Sequence, residues 1–115
     1  MAEDPVVTDP DKYHAIFENE MVRVLEYHDV PGARTSPHRH PASVMYTLSG
    51  FERRLHADGT TRDVELEPGR VFWLPAQVHQ GENIGTTETH VLFVELKTAP
   101  PDQATPPVLP GPDTT

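Results

Sequence analysis

Proline and glycine recur so often through the middle of this chain that no long helix fits between them. What lies between the breaks is short and β-branched or aromatic. Val22 to Tyr27 runs to Pro31-Gly32, and Val44 to Leu48 runs to Ser49-Gly50. Phe51 to His56 and Thr61 to Leu66 flank Ala57-Asp58-Gly59-Thr60. An Asp-Gly pair between two alternating runs marks a tight hairpin, because both central residues of a type I′ turn take positive φ. Val71 to Leu74 lies between Pro68-Gly69 and Pro75, and Val91 to Leu96 closes the series. Short strands at roughly even spacing predict an all-β antiparallel sandwich or barrel. A single turn at Lys12 to Phe17 is the one stretch that reads as helix. There is no internal repeat.

The two ends contrast with this middle. Residues 1–11 carry acids and two prolines without a periodic apolar pattern, and read as a flexible N-terminal segment. Residues 98–115 contain six prolines and read as an extended, polyproline-like tail with one small apolar handle, Val108-Leu109. The expected folded unit is therefore one domain over 12–97, a size that buries a modest core.

Composition excludes more than it selects. Nine basic against 18 acidic residues leave a net charge of -9, which repels phosphate backbones and anionic lipid; neither nucleic acid nor membrane is expected as a partner. The absence of cysteine removes disulfides, thiolate ligands and cysteine nucleophiles together. The acidic N-terminus does not resemble a secretion signal, and no apolar run approaches the about 20 residues that span a bilayer, so a cytoplasmic location is the expectation.

Histidine is the informative residue. His38 and His40 stand two apart in an extended stretch, so their side chains share one face. Two imidazoles side by side inside a barrel are costly as bystanders and natural as neutral donors to a divalent cation. His79, which follows a strongly apolar strand and Pro75, is the best third donor. His14, His28, His56 and His90 have no comparable context and read as surface or pocket-edge residues, His90 being the one that opens a core strand.

The stretch Gly32-Ala-Arg-Thr-Ser-Pro-His38-Arg-His40, followed by Tyr46-Thr-Leu-Ser-Gly50, resembles the first motif of the cupin superfamily. Gly69-Arg-Val-Phe-Trp-Leu-Pro75-Ala-Gln-Val-His79-Gln-Gly-Glu-Asn83 resembles the second. The wider frame from Phe17-Glu18-Asn19-Glu20 to Val94-Glu95-Leu96 is similar to small single-domain cupins. The resemblance implies a double-stranded β-helix, or jelly-roll barrel. It also implies a mononuclear divalent metal (Fe, Mn, Zn or Ni) on His38, His40 and His79, with Asn83, Gly32, Gly50 and Gly69 structural.

The resemblance breaks at the fourth ligand. The glutamate position of the family falls on Ser43, Val44 or Met45, none a carboxylate, and neither Glu52 nor Glu82 is expected to replace it. Three neutral imidazoles leave the ion's double charge uncompensated, which strengthens it as a Lewis acid, and leave several positions open. If the strand after Pro41 resumes inward at Ser43, the substrate pocket is formed by Ser43, Met45 and Thr47; if the phase shifts, Val44 and Tyr46 line it instead. Candidates for a general base are Tyr46, His90 and a hydroxide on the metal, while Arg39 faces out and Phe72 and Trp73 read as core. A metal-dependent enzyme acting on a small oxygenated substrate is expected, with dioxygenase-type cleavage first. An isomerase, lyase or cyclase using the metal as Lewis acid, or a non-catalytic ligand-binding barrel, are the alternatives. Small cupins also pair as homodimers through sheet edges, which makes a homodimer the expectation here.

Overall fold

The computed structural model describes residues 3–98, and those residues form two antiparallel sheets. The strands are β1 (Tyr13–Glu18), β2 (Val22–Asp29), β3 (His38–His40), β4 (Ser43–Thr47), β5 (Phe51–Ala57), β6 (Thr60–Leu66), β7 (Val71–Leu74), β8 (Gln77–Asn83) and β9 (Thr89–Leu96). One sheet has the order β1-β2-β9-β4-β7 and the other β3-β8-β5-β6. Sequence neighbours repeatedly change sheet, so the two layers are wound around one interior as a jelly roll rather than stacked as independent meanders.

The hairpin expected at Asp58-Gly59 is present. Both residues take positive φ, 53° and 72°, and β5 pairs with β6 from Phe51↔Leu66 to Ala57↔Thr60. Gly32 and Gly69 also take positive φ, and Gly50 does not.

The core is small and partly aromatic: Tyr13, Leu25, Tyr27, Phe51, Val91 and Phe93 are buried together, with Val6, Met45, Leu66 and Leu74 packed at its margin. Phe72 and Trp73 are half-buried and stand outside this cluster, line a groove that reaches His79, and so do not serve as the expected core. β9 shows the alternation that a two-faced strand requires, with Thr89, Val91, Phe93 and Glu95 buried.

Two expectations need correction. Residues 12–17 form no helical turn; Tyr13–Glu18 is strand β1, because Tyr13 pairs with Tyr27 and its ring belongs to the core. The helix lies earlier, as α1 (Pro5–Thr8), in the segment read as flexible. Asp4 caps it by accepting from Val6 N–H, and Pro5 occupies its first turn, which is a start signal written in the sequence. Apart from Thr98, the proline-rich tail and its Val108-Leu109 handle lie outside the described residues. Among the described residues no helix is long and apolar enough to cross a membrane.

Candidate metal centre

β3 supplies His38 and His40, and β8 lies beside it with His38 opposite His79. Arg39, between the two histidines, is exposed, so both imidazoles point into the barrel, where each is 1% exposed. The donor atoms of His38, His40 and His79 all lie within 4.8 Å of one another. Their ring centroids are 4.8, 4.8 and 4.9 Å apart, and each pair is nearly perpendicular, at 88°, 89° and 82°. Three mutually orthogonal imidazoles around one point match what a facial metal site asks of its ligands.

Hydrogen bonding settles which nitrogens are available. His38 Nδ1 lies 2.7 Å from the Ser36 carbonyl oxygen, which only accepts, so Nδ1 carries the proton and Nε2 keeps its lone pair. His40 Nδ1 lies 3.0 Å from Glu95 Oε2, an arrangement in which the ring likewise donates from Nδ1. The two Nε2 atoms face the Tyr13 hydroxyl, at 3.2 and 3.4 Å. One hydroxyl has one hydrogen for two buried lone pairs. His79 contacts both other rings and makes no hydrogen bond among the described residues. The cluster is thus short of hydrogens and rich in lone pairs, a donor set that fits a divalent cation.

The titration of the rings points the same way. Burial, followed by the neighbouring His40, lowers the pKa of His38 to about 4. Burial, then His40 and His38, lowers that of His79 to about 2. At neutral pH both are uncharged, the form that binds metal.

Sequence reasoning missed what stands behind the histidines. Glu95 is 2% exposed and joins His40 to Arg23, whose Nε and Nη2 donate to Glu95 Oε1 at 3.0 and 2.8 Å. Arg23 Nη2 also bonds both Asp4 oxygens, at 3.0 and 2.9 Å, so the N-terminal segment is tied to the centre. Asp9, in the same segment, accepts from Ser36 N–H at 3.1 Å to each oxygen and stands 3.8 Å from His38 Nδ1. The centre therefore does not lack a carboxylate; it has one in the outer layer, on β9. The available signal was phase: Glu95 falls on the same inward alternation as Val91 and Phe93.

The remaining assignments divide. Ser43, Met45 and Thr47 do share the inner face of β4, and Tyr46 lies on the opposite face, 39% exposed and away from the histidines. Only Met45 of the three borders the cavity beside the histidines. Thr47 donates to Glu67 O at 2.6 Å and accepts from Arg70 N–H at 2.9 Å, holding a turn. Ser43 is fully buried opposite Glu95, and its hydroxyl has no hydrogen-bond partner among the described residues. His90 is engaged by Glu26 at 2.6 Å and His28 by Glu88 at 2.7 Å, outside the centre.

The cavity holds about 110 Å³ and is walled mainly by apolar side chains, with His38, His79, Tyr13, Tyr27, Thr35, Gln77, Arg53 and Thr89 as its polar members. No family model and no curated protein matches the chain. Solved structures do. A cupin domain from Bordetella pertussis Tohama I superposes with a TM-score of 0.70 at 25% identity, over 75% of this chain and 92% of that one. The chain is a small cupin. A double-stranded β-helix protein from Klebsiella pneumoniae is similar to this cupin at 25% identity and TM-score 0.58, over 77% and 81% of the two chains. A polyketide cyclase from Streptomyces resistomycificus shares the fold, at 21% identity and TM-score 0.59 over 77% and 66%.

Proposed function

We propose that this cupin is a mononuclear metal-dependent enzyme that acts on a small oxygenated organic substrate, with dioxygenase-type cleavage as its reaction. The observation that carries this reading is the convergence of three imidazoles, two of which, His38 and His79, line a mainly apolar cavity. His38 and His40 offer Nε2, each fixed by its Nδ1 partner, and His79 completes the face. A divalent ion held there supplies Lewis acidity and, as iron(II), the electrons that dioxygen activation needs.

The chain's own residues do the rest. The apolar wall, including Phe51, Val91 and Phe93, excludes water and orients a substrate's carbon frame against the histidine face. Glu95 holds His40 in the right tautomer and lends negative charge through it. The Tyr13 hydroxyl, beside two of the ligating nitrogens, is placed to donate a hydrogen bond to a substrate oxygen.

That hydroxyl supports a second reading, in which the metal acts as Lewis acid in an isomerase, lyase or cyclase and no oxygen is consumed. Oxygen uptake by the iron(II)-reconstituted cupin with a panel of diketones, catechols and flavonols separates the two. Uptake coupled to substrate loss supports the first. Retained metal without uptake for any substrate overturns it in favour of the second.

A further inference from the structure

The cavity beside the histidines, at about 110 Å³, is smaller than the roughly 300–1,000 Å³ of a pocket that encloses a whole organic ligand. It takes one end of such a molecule. Met45, Leu55, Val64, Leu74 and His79 border both this cavity and a groove of about 380 Å³, so the larger space continues the smaller one outward. One wall of the groove is flat and apolar, with Phe72, Trp73 and Pro75. The other is β6, and it carries Arg62, the one charged side chain along the groove among the described residues.

The sheet register places that arginine. β6 pairs with β5 without a break from Phe51↔Leu66 to Ala57↔Thr60, so Thr60, Arg62, Val64 and Leu66 share one face. Val64 and Leu66 line the cavity, which makes this the inner face. Asp63 lies on the opposite face and holds Arg54 at 2.9 Å. Arg62 is exposed and has no acidic partner among the described residues, in a chain with twice as many acids as bases. Leu55 pairs with Arg62 on one side and Gly81 on the other. Arg62 is therefore two strands across from a point two residues beyond His79, and ordinary sheet spacings put the Arg62 and His79 backbones roughly 12 Å apart.

We propose that Arg62 determines specificity by taking the carboxylate of an aromatic acid, whose ring lies against Phe72 and Trp73 and whose second oxygen function reaches the histidines. The charge complementarity is direct, because the guanidinium is not already neutralised and offers two parallel donors to a carboxylate. The spacing suits one ring with a short arm. This deepens the metal-dependent reading and rests on it for the histidine contact alone.

The test uses 3-(4-hydroxyphenyl)propionate and its methyl ester, which share ring and phenol and differ in the charged carboxylate. Trp73 is the only tryptophan of the chain, so its emission reports occupancy of the groove. Each probe is titrated into full-length protein, metal-free and zinc-loaded. Wild type is expected to prefer the acid about three- to tenfold, as one well-aligned ion pair in a half-open groove would give. In Arg62→Gln the preference falls to near one with the ester's affinity unchanged, and in Arg62→Glu it reverses. Melting temperatures stay at the wild-type value, since the side chain makes no ion pair that the substitutions break. Equal affinities in wild type, no binding of the acid, or a preference that survives Arg62→Gln would overturn the assignment. Zinc should tighten both probes alike; no change on loading sinks the metal contact alone, because the metal-free titration still reads the preference at Arg62.

Discussion

His40 donates from Nδ1 to Glu95 Oε2 at 3.0 Å, across 55 positions of sequence, in a region where both side chains are almost wholly buried. This bond fixes the histidine's tautomer and puts a carboxylate one residue behind the histidine cluster. Glu95→Gln keeps an acceptor in place and removes the charge. Metal affinity, measured by competition with a chelator, should fall about 10–100-fold. Unchanged affinity would mean that the carboxylate serves only Arg23.

In the proposed metal site His79 is the donor contributed from the second region of the chain, and its loss leaves two donors. His79→Ala should lose most bound metal by elemental analysis of untagged protein while retaining the sheet signature in circular dichroism. Near-stoichiometric metal in this variant would show the ligand set to be wrong.

Tyr13 covers the lone pairs of His38 and His40 from 3.2 and 3.4 Å. In metal-free protein, Tyr13→Phe leaves both buried acceptors without a hydrogen and should cost about 1–3 kcal/mol in urea unfolding. With metal bound the lone pairs are already engaged, so the stabilisation by added zinc should be larger in Tyr13→Phe than in wild type. A smaller stabilisation would mean that the hydroxyl contributes to holding the ion.

Acid should destabilise the metal-free protein through the same rings. His38 and His79 titrate at about 4 and about 2 when folded, against 6.5 for an ordinary histidine. The unfolded chain therefore binds protons that the folded one refuses. This contribution to stability is complete above pH 6.5 and is lost as pH falls, ending near 4 for His38 and continuing toward 2 for His79. Each ring contributes up to about 1.4 kcal/mol per pH unit in its window. Urea midpoints at pH 7 and 5 should differ less in His79→Gln than in wild type; an equal difference would exclude His79 as a source.

Asp4 joins the N-terminal helix to the centre through Arg23. Asp4→Ala removes the helix cap and one partner of Arg23, and should cost about 0.5–2 kcal/mol of stability. No change in melting temperature would show that α1 does not brace the barrel.

Much of this protein is local enough to be legible in one dimension. The breaks at Pro31-Gly32, Asp58-Gly59 and Pro68-Gly69 dictate short strands, because backbone conformation at such residues is set by their own sterics. The two-residue spacing of His38 and His40 puts both imidazoles on one face by strand geometry alone. Asp4-Pro5 also carried a helix start that composition obscured. Tertiary structure alone decided the rest. Strand pairing between β3 and β8 brought His79 to His38, and the pairing of β4 with β9 set Glu95 opposite Ser43. It put Tyr13 over His38 and His40, turned Tyr46 outward and enclosed Arg53. Those relationships join residues far apart in the chain, and no spacing rule along a strand can specify which distant strand becomes its neighbour.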